Sequence, residues 1–453
     1  TTDITQDGGT IYFQQDDNTN KIQYSSNDSG PWTTVPTFPI TIVNSVPAAG
    51  AVLTVQFTTD MTFSAGQYFI CGSDWITFNG LNIDGNKATI TFNNYTNCLG
   101  LIQNGTSSTA STWESGKSNI TVENIHVASS GSTLATNAGW VCQKYFGAGS
   151  SNVLIDNCYS AGDIGHSAGG ICGNAAGFNG NATISNCYST GDIGTEAGGI
   201  FGNNAGAFEG KATISNCYST GDIGHSAGGI CGYSAGRNNG NATISNCYST
   251  GPIGLFAGGI CGSMAGRNNG NATIFNCYST GVIGGSAGGI FGNTAGAFEG
   301  KATISNCYST GDIGNSAGGI CGNGAGQFDG NATITNCYST GVIGEYAGGI
   351  CGSSAGGGKA TISNCYSTGP IGDNGGGICG TSAGAYNGTA TITNCYSTGV
   401  IGDNGGGICG DYTGYYNGNA TITNCYSLYA TGNTIIESGG MVGPNSTVVF
   451  SDT

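Results

Sequence analysis

Charge is the scarcest property of this sequence. Lys and Arg number 9 and Asp and Glu 25 in 453 residues, 8% of the chain, where an average soluble domain carries about a quarter. So few charges, set among 87 glycines, argue against helices. Nine basic residues at a net charge of −16 leave nothing to neutralise a phosphate backbone, so no nucleic-acid partner is expected. Proline is also rare, with 7 residues, and there is no strict Gly-X-Y period, which excludes collagen. With 3 histidines and no Cys-x2-Cys spacing, neither a zinc site nor another metal or cofactor site is expected. No uncharged apolar run reaches the ~18 residues of a membrane span. The sequence opens at Thr1 without a Met, which fits either a processed N-terminus, as after loss of a signal peptide, or a chain recorded only where it is ordered.

What the sequence does have is repetition. Asn-Cys-Tyr-Ser occurs ten times, with its cysteine at Cys158, Cys187, Cys217, Cys247, Cys277, Cys307, Cys337, Cys365, Cys395 and Cys425. The steps are 28 to 30 residues, and Asn181 to Gly210 is one full unit. Within it Ala182-Thr183-Ile184-Ser185 is a short β-branched run, Ile193 and Ile200 stand among glycines, and no 3.6-residue apolar period exists. Short strands bounded by Gly and Asn, recurring in units too small to hold a core alone, predict a solenoid. The expected fold is all-β, a right-handed parallel β-helix of about 30 residues per coil. Ile193, Ile223, Ile253 and Ile283 should form one buried stack.

Residues 1–50 read as an N-terminal β cap, with Thr10–Phe13 and Lys21–Tyr24 as hairpin arms. Degenerate coils follow over 51–150, beginning near 52, with a longer loop between Leu101 and Ser118. Regular coils fill 151–426, and 427–453 reads as a divergent final coil or cap.

The Asn-Cys-Tyr-Ser-Thr-Gly and Gly-Gly-Ile-Cys-Gly strings resemble the GLUG-type glycine-rich repeats of bacterial surface adhesins and secreted peptidases. They are also similar to repeat proteins of large DNA viruses of protists, as is the Phe69-Ile70-Cys71-Gly72-Ser73-Asp74-Trp75-Ile76-Thr77 block. The resemblance is strong over 150–445 and weak over 52–150. It implies an extracellular β-helix serving as a surface or fibre element, and it carries over no catalytic residue.

Seven units hold a second cysteine 14 residues after the first, as in Cys217 and Cys231, but Phe201 and Phe291 take that place in two units. A slot that accepts Phe reads as buried and apolar, which favours a ladder of free thiols; bridges within the seven matched coils are the other reading. The Asn before each ladder cysteine reads as a corner residue bonded to its copies. The first position of each unit is Asn or Lys, so it faces solvent, and Asn181, Asn241, Asn271 and Asn331 should share an outer face with Lys211 and Lys301. Asn27, Asn94, Asn104, Asn119, Asn181, Asn241, Asn271, Asn331, Asn387, Asn419 and Asn445 all fit the N-x-S/T acceptor pattern, either as glycan sites or because Thr suits a strand.

β-Helices can host polysaccharide lyases and hydrolases, whose sites converge two or three carboxylates. Asp163, Asp192 and Asp222 fall at one unit position, but Pro252 and Val282 replace them in later units, and His166 and His225 have no distinctive nucleophile beside them. No catalytic site is expected. The recurring tyrosines read either as an outer aromatic stack or as the lining of a sugar groove. The expectation is therefore an extracellular rigid rod, part of a fibre, appendage or virion or cell surface, with a carbohydrate-binding adhesin or a β-helical lyase or hydrolase as the alternative. Thr447-Val448-Val449-Phe450 reads as a free-edged strand that pairs with the N-terminal cap of another copy, building a head-to-tail homopolymer.

Overall fold

The computed structural model describes residues 1–81, 85–109, 112–429, 434–436 and 441–451. The described chain is all-β and winds into a parallel solenoid of about 13 turns, each of about 30 residues. Three faces repeat in every coil. The first carries the longest strands, such as Asn181–Ser185, Lys211–Ser215 and Asn241–Ser245. They pair in exact one-to-one parallel register, Ala182 on Ala212 and Ile184 on Ile214. Their burial alternates, Ala and Ile inward and Asn or Lys, Thr and Ser outward, because successive strand residues point to opposite sides.

The corner after each strand is turned by asparagine. Asn186, Asn216, Asn246 and Asn276 all sit at φ of 53–55°, a left-handed conformation that a short polar side chain tolerates best after glycine. The ladder cysteine then points inward, and the two-residue strand Tyr188–Ser189 sends its tyrosine out and its serine in. A third face follows as single parallel bridges, Ile193 on Ile223 and Gly198 on Gly228. Glycine is required there by close approach: a Cβ on Gly198 would overlap the carbonyl oxygen of Phe201, and one on Gly191 that of Gly162.

Ile193, Ile223, Ile253 and Ile283 form the expected stack, each at 3% exposure or less. Fully burying such a side chain contributes about 1.5–3 kcal/mol. The first unit position also falls where the pattern put it: Asn181, Lys211, Asn241, Asn271, Lys301, Asn331 and Lys359 follow one another in register on the outer surface.

Three boundaries differ from the sequence reading. Parallel pairing begins well before residue 52, with Thr2–Gln6 on Ile40–Asn44 and Gly9–Phe13 on Leu53–Phe57. The expected hairpin is present, and its second arm, Ile22–Ser25, runs antiparallel along the other edge of the Gly9–Gln15 strand. The stretch between Leu101 and Ser118 is not plain loop, since Thr106–Thr109 and Thr112–Glu114 pair antiparallel. Thr447-Val448-Val449-Phe450 does not stand off as a free strand. Val448–Ser451 adds a parallel rung to its own last coil, Val448 on Ala420 and Phe450 on Ile422, and the Thr447 N–H donates to Thr413. One edge of the strand proposed for assembly is therefore already used within the chain.

Candidate functional site

Because the coils superpose in register, every outward position becomes a column, and the columns are the surfaces on which function can be built. The ten tyrosines from Tyr159 to Tyr426 form one continuous stack. Ring centroids are 4.2 Å apart at Tyr159 and Tyr188 and 4.7–5.0 Å thereafter, with planes within 7° of parallel from Tyr188 on. His126 continues the column, 4.2 Å from Tyr159. Partial burial, then the neighbouring phenols, push the Tyr218 and Tyr366 hydroxyls up from their ordinary value. A sugar stacks on the face of an aromatic ring, and within this row each face is covered by the next tyrosine. The column is thus an outer aromatic stack.

The asparagine corner forms a second column. Asn276 donates to Asn246, Asn306 to Asn276 and Asn336 to Asn306, each at 3.3 Å. Of the sequon residues, Asn27, Asn94, Asn181, Asn241, Asn387, Asn419 and Asn445 are exposed, and Asn119, Asn271 and Asn331 are half-buried at the surface. Asn104 is the exception, at 1% exposure. Its amide nitrogen donates to the Lys117 carbonyl at 2.9 Å and its oxygen accepts from the Lys117 N–H. A glycan on that nitrogen has no exit to solvent, so Asn104 is withdrawn as an acceptor.

Eighteen of the cysteines, all but Cys71 and Cys98, occupy two inward lanes. All twenty are free thiols, and all but the half-buried Cys425 are buried. In the first lane the Cys158, Cys217 and Cys247 N–H groups each face the sulfur of the next rung at 3.3–3.4 Å. The second lane runs Cys142, Cys172, Phe201, Cys231, Cys261, Phe291, Cys321, so the thiol serves there as an apolar filler interchangeable with a ring. Burial pushes the Cys98 thiol up to about 12 and holds Cys187 and Cys217 well above the ordinary range. Such thiols are protonated and unreactive at neutral pH.

Asp163, Asp192 and Asp222 lie exposed in one column. Two of the carboxylates are engaged along the axis: Asp163 accepts from the Asp192 N–H at 3.3 Å and Asp192 from the Asp222 N–H at 3.1 Å. They brace successive rungs and do not converge on a cleft. His166 does acquire a neighbour that the sequence reading overlooked. The Ser167 hydroxyl is 3.0 Å from His166 Nδ1 and donates to Glu196 at 3.2 Å. In a Ser-His-acid relay the imidazole stands between hydroxyl and carboxylate, whereas here the hydroxyl stands between them and is 97% buried, at 3% exposure. His225 meets the edge of Phe256. Among the described residues no group of three or more His, Cys, Asp or Glu side chains is placed to hold a metal ion.

The variable corner of the repeat adds contacts not foreseen from the sequence. Arg237 lies over the Phe208 ring at 5.0 Å and Arg267 over Tyr233 at 5.4 Å. The only sequence signal was that these side chains stand one coil apart at the variable positions before a unit's closing glycine. No family model, curated protein or solved structure matches the chain.

Proposed function

We propose that the protein is an extracellular structural element, a rigid rod within a fibre, filament, appendage or surface layer, and that its work is mechanical. The observation that carries this reading is the unbroken axial register, in which Tyr, Asn, Ile and Cys each stack on their own copies through every regular coil. Backbone hydrogen bonds then run along the rod axis, so a pulling load is shared by several ladders at once. At about 4.8 Å per rung, about 13 turns make a rod about 60 Å long. Exposed sequons on one outer column are consistent with a secreted, glycan-bearing surface, and end-to-end addition of copies would lengthen the rod. With Val448–Ser451 bonded on one side to its own coil, such addition would use that strand's second edge.

Negative-stain microscopy of the purified chain tests the reading. Straight particles about 60 Å long, or integral multiples joined along the axis, are expected. Flexible or globular particles would overturn it. Intact mass before and after glycosidase treatment of protein from a eukaryotic secretory host checks the surface sequons, with Asn104 expected to stay bare.

A further inference from the structure

Over the regular coils the long-strand face carries only parallel rungs in register. At the first coils it is different. The loop of residues 26–32, which follows the antiparallel arm, folds back over the strands Gly9–Gln15 and Leu53–Phe57 and encloses a cleft of about 520 Å³. Its floor is made by outward side chains on neighbouring rungs, Tyr12 paired with Gln56, together with Gln14. Its wall is Trp32 and Asp28, and Thr58, Thr59 and Leu81 complete the rim. The indole is positioned from below: Gly30, at φ +88°, brings the backbone close under its edge, where a Cβ would lie 3.0 Å from Trp32 Cδ1.

The polar groups of this cleft are poised for a ligand. The Gln56 amide is oriented by donating to the Asn79 carbonyl at 3.2 Å and to the Leu81 carbonyl, and the Gln14 amide donates to Gln23 at 3.1 Å, which leaves both side-chain carbonyls as acceptors. Among the described residues the Trp32 indole N–H, the Tyr12 hydroxyl and the Asp28 carboxylate have no protein partner, and neither ring is stacked on another aromatic ring. Two aromatic rings bordered by donors and acceptors are what a pyranose requires, apolar C–H faces to stack and hydroxyls to bond.

We propose that this cleft binds a neutral oligosaccharide, stacked on Trp32 and Tyr12 and held by Asp28, Gln14 and Gln56. Charge decides against the alternatives. Among the described residues no Lys, Arg or His lines the cleft, so an anionic sugar or phosphate meets only Asp28 as a charged group. A quaternary ammonium would use the two rings and the carboxylate but leave the Gln14 and Gln56 carbonyls idle in a cleft larger than it fills. The site is independent of the rod reading, because it lies at one end and uses none of the repeated columns.

The test is a printed array of neutral oligosaccharides probed with the full chain, followed by calorimetry on the strongest binder. Trp32→Ala is expected to weaken binding at least tenfold and Gln56→Ala severalfold. Tyr278→Ala, in the tyrosine stack, should leave binding unchanged. Equal melting temperatures for wild type and Trp32→Ala separate loss of binding from loss of fold. A silent array, binding that survives Trp32→Ala, or preference for choline or a proline-rich peptide would overturn the proposal. Particle length by microscopy is read separately, so failure here does not touch the rod.

Discussion

Between residues 1 and 146 the interior combines aliphatic side chains with a cluster of aromatic rings. Phe13, Phe57, Phe63, Phe69, Phe78 and Phe92 are fully buried and meet tilted or edge-on at 5.2–6.5 Å, ending where Phe92 meets Trp140 at 6.0 Å. From residue 150 onward Ala, Ile, Cys and Ser fill the interior, each on its own copy. One lane joins the two regions. It runs Phe69, Ile102, Cys142, Cys172, Phe201, which is why Phe201 and Phe291 fit among cysteines without disturbing the register. In the first region every ring has a unique set of neighbours, and irregular strands and insertions are accommodated. In the second, translation along the axis supplies each residue's neighbour, so one solved coil solves the next.

The sharpest way to break the second region is to spoil one rung. Ile223→Asp places an unpaired carboxylate in the buried isoleucine stack and should cost about 4 kcal/mol or more. Hydrogen exchange is expected to show lost protection concentrated in the coils beside residue 223, with the aromatic block intact; a side chain at 223 that tolerates Asp would refute the register. In the first region Phe69→Ala removes a ring that touches four others and should cost about 3–5 kcal/mol in urea unfolding. Its loss should spread through the block, because no neighbour can supply an equivalent contact.

Alkali should distinguish the regions next. Seventeen of the twenty cysteines lie from Cys158 onward. In the repeats burial raises the Cys187 and Cys217 thiols above the ordinary 9.0, as it raises Cys98 of the first region to about 12. A thiol that keeps its proton in the fold when the unfolded chain has lost it contributes stability below pH 9.0 that is lost as pH climbs above it. Melting followed by circular dichroism should therefore fall steeply over this window, with exchange protection failing in the repeats before the aromatic block. A flat profile from pH 8 to 11 would contradict the burial of the ladder.

Smaller effects belong to the outer columns. Tyr278→Ala interrupts the stack between Tyr248 and Tyr308 and should cost about 0.5–1.5 kcal/mol beyond lost burial. Asn276→Gly keeps the left-handed corner but deletes the 3.3 Å bonds to Asn246 and from Asn306, for about 0.5–1 kcal/mol. Asn276→Ala should cost more than Asn276→Gly, since alanine adds strain at φ 54°. The reverse order would mean that the left-handed corner does not limit stability, since both variants lack the amide bonds.

How much of this was legible depended on whether a residue's environment recurs. The 30-residue period, the inward isoleucines, the asparagine corners and the outward Asn and Lys column could all be read because a position that repeats reports its surroundings many times. Asn104, Thr447 to Phe450 and the first parallel rungs at Thr2–Gln6 occur once, and nothing local to them reveals which segment lies alongside. Asn104 matches the same acceptor pattern as Asn181, and only its burial against the Lys117 backbone makes it inaccessible. The tyrosines illustrate the same limit within the repeat, since spacing fixes that they align but not that their faces cover one another.

The sequence alone thus determined the period, the strand character and the inside-outside pattern, because these follow from side-chain size, polarity and backbone tolerance within a single coil. Tertiary structure decided where the ladder starts, which sequon is buried, that the carboxylate column braces rungs, and that Tyr12, Trp32 and Gln56 border one cleft. Those outcomes rest on contacts between segments tens of residues apart, and such contacts are set by how the whole chain packs, not by any stretch of it read alone.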